Sequence, residues 1–225
     1  MPATKTPPKI ILVIDVGGTH LKIGTTGSRR IIKIPSGLTM TAAQMAAAVR
    51  KVVVGVKYDA VSIGFPGPVV KNRPLLEPHN LGKGWVKFDY QHAFGRPVKI
   101  INDAAMQALG DHLNGCTLFL GLGTGLGSAL VVDGKVLPLE LAHLPYKKNR
   151  TYEEFLGTAG LKRVGNKKWR HYVCDVVSRL KAAFIADSVV LGGGNVRLIE
   201  DFPLGVRAGK NANAIRGGYR LWLHK

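Results

Sequence analysis

The chain has 225 residues, enough for one large domain or two small lobes, and 46% of them are hydrophobic, so it can bury a core. Lys and Arg number 32 against 14 Asp and Glu, a formal net charge of +18 spread along the sequence, which suits either a basic soluble surface or a polyanionic partner such as nucleic acid, an anionic membrane or polyphosphate. The two cysteines, Cys116 and Cys174, exclude a disulfide framework and a cysteine-built zinc cluster and fit packed thiols in a reducing cytoplasm; no apolar run approaches membrane-spanning length, and the polar, proline-rich start lacks a signal-peptide core.

The β-branched run Ile10 to Val16 reads as a strand buried on both faces. It leads into a first glycine turn, Asp15-Val16-Gly17-Gly18-Thr19-His20-Leu21-Lys22, after which residues 21–26 and 30–34 continue a strand meander. Thr41 caps a predicted helix from Ala42 to about Val54, with Met45, Val49, Val52 and Val53 on one side. Asp59 to Ile63 is the next strand and ends in a stiff turn, Gly64-Phe65-Pro66-Gly67-Pro68. Residues 69–96 read as a long irregular stretch, of the kind that carries function in compact domains. Pro97 to Ile101 is a strand closed by Asn102-Asp103, and Ala104 to Leu113 reads as a helix starting at that Asp. Three meander strands, then helix, strand, helix and strand, is the order of the ribonuclease-H-like fold. The pattern then begins again. Residues 117–122 and 126–132 are strands on either side of a second glycine turn, Gly121-Leu122-Gly123-Thr124-Gly125-Leu126-Gly127-Ser128, and Asp133-Gly134 signals a hairpin. Helical segments follow near 151–164. A longer amphipathic helix runs from about Lys168 to Ala186, with Trp169, Val173, Val176, Val177, Leu180 and Phe184 in its apolar stripe. Val189-Val190-Leu191 is a buried strand ending in Gly192-Gly193-Gly194.

Glycine lets a backbone turn tightly and lets its amides converge on an anion, so two such turns suggest two jaws on a phosphate chain. Asp15, at a strand end beside Gly17, Gly18 and Thr19, is placed to hold Mg²⁺ directly or through water while the turn takes phosphate oxygens; Lys22 either approaches phosphate or is a solvated strand residue. Asp103, at the end of a strand and the start of a helix, is either an ordinary helix-capping Asp or a general base for phosphoryl transfer to an alcohol. Glu140 and His143, with Glu153 or Glu154, could accept and donate hydrogen bonds to vicinal sugar hydroxyls, or could be structural and solvated side chains.

Taken together, Asp15-Val16-Gly17-Gly18-Thr19, Gly64-Phe65-Pro66-Gly67-Pro68-Val69, Ile101-Asn102-Asp103-Ala104, Gly123-Thr124-Gly125-Leu126-Gly127-Ser128, Glu140-Leu141-Ala142-His143 and Leu191-Gly192-Gly193-Gly194 resemble, in order, the motifs of ROK family sugar kinases of the actin-like ATPase superfamily. The resemblance runs over about 10–220 and implies an α/β, two-lobed ribonuclease-H-like fold with a central cleft. The first lobe would be residues 1–103 and the second 104–225, with the last helix able to pack back on the first lobe. It implies Asp103 as the base. Phosphate would be gripped by Asp15, Gly17, Gly18, Thr19, Lys22, Gly123, Thr124, Gly125 and Gly192, Gly193, Gly194. The sugar would be met by Pro66, Gly67, Asn80, Asn102, Asp103, Glu140, His143 and Glu154. Most members bind structural zinc through a cysteine cluster after the His; this chain has no Cys between Cys116 and Cys174, so zinc is not expected, and Ala142 replaces the family's Gly.

The zinc-free pattern is similar to the polyphosphate glucokinase branch. With the basic charge and the short tail after Gly194, it points to a cytoplasmic hexose kinase that uses Mg²⁺ and takes polyphosphate, ATP or both as donor. No membrane or specific nucleic-acid partner is expected, and a homodimer is the family expectation. The rival is a ROK-type sugar-sensing regulator or nucleic-acid-binding protein without catalysis; a first core strand starting at Ile10 leaves no room for a preceding helix-turn-helix. The basic run most suited to a polyphosphate track is Lys147, Lys148, Arg150, Lys162, Arg163, Lys167, Lys168 and Arg170.

Overall fold

A computed structural model describes residues 10–210 and 212–223. The chain divides into two compact units, residues 1–106 with 214–225 and residues 107–213.

In the first unit the strands are β1 (Ile11–Val16), β2 (His20–Thr25), β3 (Ile32–Pro35), β4 (Ala60–Phe65), the short pair β5 (Val69–Val70) and β6 (Arg73–Pro74), and β7 (Val98–Asn102). The helices are α1 (Ala42–Val52), α2 (Tyr90–Phe94) and the start of α3 (Asp103–Asp111). The main sheet has the order β3-β2-β1-β4-β7: β1, β2 and β3 are antiparallel neighbours, and β4 and β7 run parallel to β1. Because β1 and β4 are central, their residues are buried on both faces, which is why they read as unbroken apolar runs. Leu12 and Ile14 face a core shared with Met45 and Val49 of α1, whereas Ile11 and Val13 face a second core containing Met106 and Ala214. Thr41 caps α1 as a full capping box with Gln44, as its position before the apolar pattern suggests.

The stretch 69–96 is less irregular than the sequence suggests. It contains the β5–β6 hairpin and α2, and it drives Leu81 and Trp85 into the core. Glu77 fixes the loop by accepting the Trp85 N–H at 3.0 Å.

The second unit repeats the topology. Its strands are β8 (Cys116–Leu122), β9 (Leu126–Val132), β10 (Lys135–Leu139), the short pair β11 (Pro145–Lys147) and β12 (Arg150–Thr151), β13 (Ser188–Gly192) and β14 (Val206–Ala208). The sheet order β10-β9-β8-β13-β14 again has two antiparallel neighbours on one side of the first strand and parallel strands on the other. Helices α4 (Tyr152–Leu156) and α5 (Thr158–Ala183) cover it. The sequence suggests separate helices near 151–164 and 168–186. The chain instead makes the short α4 and then α5, which is interrupted at Gly165 (φ 75°, ψ 163°). The stripe Trp169, Val173, Val176, Val177 and Leu180 is buried as its spacing requires, and Phe184 closes the helix.

A last helix, α6 (Asn213–Arg220), packs within the first unit. Ser62, in the middle of β4, donates to the Gly218 carbonyl at 2.6 Å and accepts from the Trp222 indole at 2.9 Å. A side chain at position 218 would clash with Val13, so glycine is what allows α6 to lie this close to the sheet.

Candidate active site

The first unit places its chemistry where β1, β4 and β7 end. Asp15 lies one residue from the C-terminus of β1, directly across the ladder from Lys22, and the Lys22 ammonium meets its carboxylate at 2.8 Å. Lys22, whose side chain is partly exposed, is the counter-charge of Asp15. Beyond them Gly17 and Gly18 make the turn. The Ser36 hydroxyl holds the Gly17 carbonyl at 2.6 Å, and a side chain on Gly18 would crowd Asn80 at 3.0 Å, which puts exposed Asn80 beside the turn. Thr19 is exposed, and its carbonyl accepts from Ser36 N–H at 2.9 Å.

Asp103 opens α3 at the end of β7. The Asn102 side chain performs the helix-capping task, accepting the Ala105 N–H at 3.1 Å and donating to the Gly67 carbonyl at 3.2 Å. Asn102 thereby ties the Pro66-Gly67 turn to the helix start. Asp103 itself accepts the neighbouring Ala104 N–H, at 2.8 Å, and its own backbone N–H. Its carboxyl is pushed up to about 7, chiefly by burial and next by the charge of Asp15; the Ala104 N–H and Lys22 oppose the shift. A carboxylate that exchanges its proton near neutral pH, beside a second acid that stays in reach of a cation, is the arrangement that separates a base from an electrostatic partner. Gly64 makes the juxtaposition feasible, because a Cβ there would collide with Met106 and would already touch the Asp103 Cα at 3.4 Å.

The second unit builds its turn from the outside in. The Gly123 N–H bonds the Gly125 carbonyl at 3.1 Å, closing a tight loop between β8 and β9. The loop's carbonyls are bonded into the protein: Gly123 O accepts from the Thr158 N–H at 3.0 Å, the Thr158 hydroxyl at 2.9 Å and the Asn195 amide at 3.3 Å, and Thr124 O accepts from the Thr158 N–H at 3.2 Å. Carbonyls held this way keep negative dipoles off an incoming anion. Asn195 follows Gly192-Gly193-Gly194, and Gly193 (φ 86°) lies so close to Leu122 that only glycine fits. The third glycine run is thus part of the same turn assembly. Thr158 and Asn195 join the turn from distant positions that no local sequence pattern marks.

Glu140 precedes and His143 ends a single 3-10 turn, Leu141–His143; their side chains are 3.9 Å apart and both exposed. The two candidate acids on α4 part company. Glu154 is exposed and caps its own helix, accepting the Thr151 N–H at 2.8 Å. Glu153 is half-buried and accepts the Leu126 N–H at 3.0 Å, with its carboxylate against Gly125. The acid that reaches the glycine turn is therefore Glu153.

Among the described residues no group of three or more His, Cys, Asp or Glu is arranged to hold a metal ion. One carboxylate beside a glycine turn does fit Mg²⁺, which keeps most of its waters and takes the rest of its ligands from phosphate. Among the described residues no helix is long and apolar enough to cross a membrane.

The architecture and these motifs have relatives. The chain is 27% identical over 204 residues to the polyphosphate glucokinase of Mycobacterium tuberculosis, covering 80% of this chain and 76% of that protein. Its fold matches an inorganic polyphosphate/ATP-glucomannokinase from an Arthrobacter species with a TM-score of 0.79 at 24% identity, covering 97% of this chain and all of the other. It also matches a ROK family glucokinase from Streptomyces griseus, crystallised with glucose and AMPPNP, with a TM-score of 0.75 at 17% identity, covering 95% and 99% of the two chains. The sequence profile of the ROK family matches residues 11–138, from β1 through most of β10, and with it the first turn, Asp103 and the second turn. The chain belongs to the ROK family.

Proposed function

We propose that this chain is a hexose kinase that transfers a phosphoryl group from polyphosphate or ATP to the 6-hydroxyl of glucose or a related hexose. The observation that carries this reading is Asp103, a carboxylate poised near neutral pH at a strand end, next to Asp15 and the first glycine turn. The relatives, a polyphosphate glucokinase and a polyphosphate/ATP-glucomannokinase, support the same acceptor and the same two donors.

In this mechanism Asp103 takes the proton of the sugar 6-hydroxyl as its oxygen attacks the terminal phosphorus. The new O–P bond forms, the bridging P–O bond breaks, and the leaving oxygen departs on the shortened polyphosphate or on ADP. Asp15 would hold Mg²⁺ through water; when bound, that ion supplies neutralisation of the donor's charge. Gly17, Gly18, Thr19 and Lys22 serve phosphate in the first unit; Gly123, Thr124, Gly125 and Gly192, Gly193, Gly194 serve it in the second. Pro66, Gly67, Asn80, Asn102, Glu140, His143 and an acid of α4 serve the sugar. Here Glu153 is favoured over Glu154, whose carboxylate is engaged as a cap. The two free thiols, Cys116 and Cys174, suit a cytoplasmic setting. A homodimer belongs to the same proposal and is read by light scattering.

The test is a donor-by-acceptor activity matrix: ATP and long-chain polyphosphate against glucose, mannose, fructose and N-acetylated amino sugars. The expected result is a sugar 6-phosphate from at least one hexose. No phosphorylated sugar with either donor would contradict the proposal.

A further inference from the structure

Helix α4 carries Glu153 to the second glycine turn, yet it has only five residues and cannot hold its own position. Its carbonyls are held by the Trp169 indole on Leu156 at 3.0 Å and by Arg163 on Glu154 at 2.6 Å, and its aromatic face is held by a side-chain cluster between the preceding hairpin and the middle of α5. The Tyr146 hydroxyl, on β11, donates to the Asp175 carboxylate of α5. The same carboxylate accepts from Lys147 at 3.0 Å and from Arg179 at 3.1 Å. These donors, with Tyr146 foremost, hold the Asp175 acid down at about 2, so it stays charged through the physiological range. The Tyr146 ring packs at 5.0 Å edge-on against Phe155 and at 5.2 Å against Tyr152, both on α4. Phe155 in turn stands edge-on to Tyr172 of α5 at 4.8 Å. Glu153 is the near neighbour of both α4 rings in sequence. Its carboxylate bonds the Leu126 N–H and presses on Gly125.

We propose that Tyr146 and Asp175 are positioning residues for the phosphate turn: their bond fixes the aromatic stack, the stack fixes α4, and α4 fixes Glu153 on the Leu126 amide. None of the four rings need touch substrate. The role rests on the kinase reading only for its kinetic consequence; the mechanical link from Tyr146 to the turn stands or falls by itself. A rigid turn presents its amides in place, whereas a loosened one must be ordered by the donor at the donor's expense. The effect should therefore fall on donor binding and, through Glu153, on the sugar as well.

The experiment compares Tyr146→Phe, which keeps the ring and removes only the hydroxyl, with Asp175→Asn and with Leu180→Ala as a variant that weakens α5 packing away from the cluster. Hydrogen exchange of a peptide spanning 123–130, followed by mass spectrometry in the full-length protein without substrates, reads the Leu126 amide directly. Exchange there should quicken about two- to tenfold in Tyr146→Phe, the worth of one hydrogen bond, and stay near wild type in Leu180→Ala at matched stability. Steady-state kinetics should show the donor KM and the glucose KM both raised by a similar factor, because Glu153 is also the α4 acid proposed to meet the sugar. Unchanged exchange at 123–130 in a folded Tyr146→Phe protein overturns the link. If the wild-type protein phosphorylates no hexose, the kinase reading fails while the exchange arm still judges the link. Should Asp175→Asn not fold, Tyr146→Phe decides alone.

Discussion

At the scale of single residues, Asp103 is the base of the proposed reaction, and its environment dictates how it would act. Its raised pKa means that burial and the Asp15 charge oppose ionisation, so base activity should rise with pH through about 7. The same shift has a stability consequence. The folded state holds the Asp103 proton more tightly than the unfolded chain does, so its contribution is present at low pH and is lost as pH rises through about 7. Asp103→Asn should therefore lower kcat by about 10²- to 10⁴-fold while raising Tm at pH 8, with the gain shrinking toward pH 5. Paired activity and thermal-melt series across pH check both halves; a variant that is inactive and equally destabilised at every pH would assign Asp103 to packing alone. Asp103, Asp15 and both glycine turns were legible because each stands at the end of an apolar run, in a pattern too long for chance. Thr158 and Asn195 were not, because they serve the second turn by bonds to Gly123 from 35 and 72 residues away, and a lone Thr or Asn carries no trace of such a partner. The Lys22–Asp15 pair was half legible: both residues stood out, but only strand register puts them opposite one another.

At the scale of elements, the strands bearing the turns were read correctly because burial on two faces leaves a continuous apolar signature. The elements that escaped have weak local signals. β11, β12 and β14 have two or three residues each, below any periodicity. α6 was expected as a last helix able to pack back on the first lobe, although Gly217 and Gly218 lower its helix propensity; Gly218 is what lets the helix approach Val13 and accept from Ser62. Gly218→Ala should raise helix propensity and still destabilise the protein, by about 1–3 kcal/mol from overpacking against β1. Chemical denaturation checks this; a stabilised variant would show that the close packing of α6 is slack. The interruption of α5 at Gly165 was visible only as a gap between two helical patterns, and the positive φ there explains why the sequence supplies glycine.

At the scale of the whole molecule, two units share one strand order and place a glycine turn between the first two strands of each sheet, a repetition visible in the sequence only as the order of its elements. The charge of +18 also belongs to this scale, and the structure refines where it is available. Lys147 is paired with Asp175 and Arg170 with Glu200, whereas Lys148, Arg150, Lys162, Lys167 and Lys168 are exposed and have no carboxylate partner among the described residues. Polyphosphate binding should therefore weaken steeply with salt, and Lys167→Gln with Lys168→Gln should raise the polyphosphate KM several-fold while leaving glucose and ATP nearly unaffected. Initial rates at low and moderate salt check this, and a KM for polyphosphate that ignores both salt and the substitutions would remove the track. The central claim is phosphoryl transfer to a hexose with Asp103 as base. Its most direct measurement follows glucose 6-phosphate formation from glucose with long-chain polyphosphate, and in parallel with ATP, in wild type and in folded Asp103→Asn. Steady product from wild type, with turnover in the variant down by at least about a hundredfold, is the result expected of a positioned base. Product formed equally well by both proteins, or by neither, would contradict it.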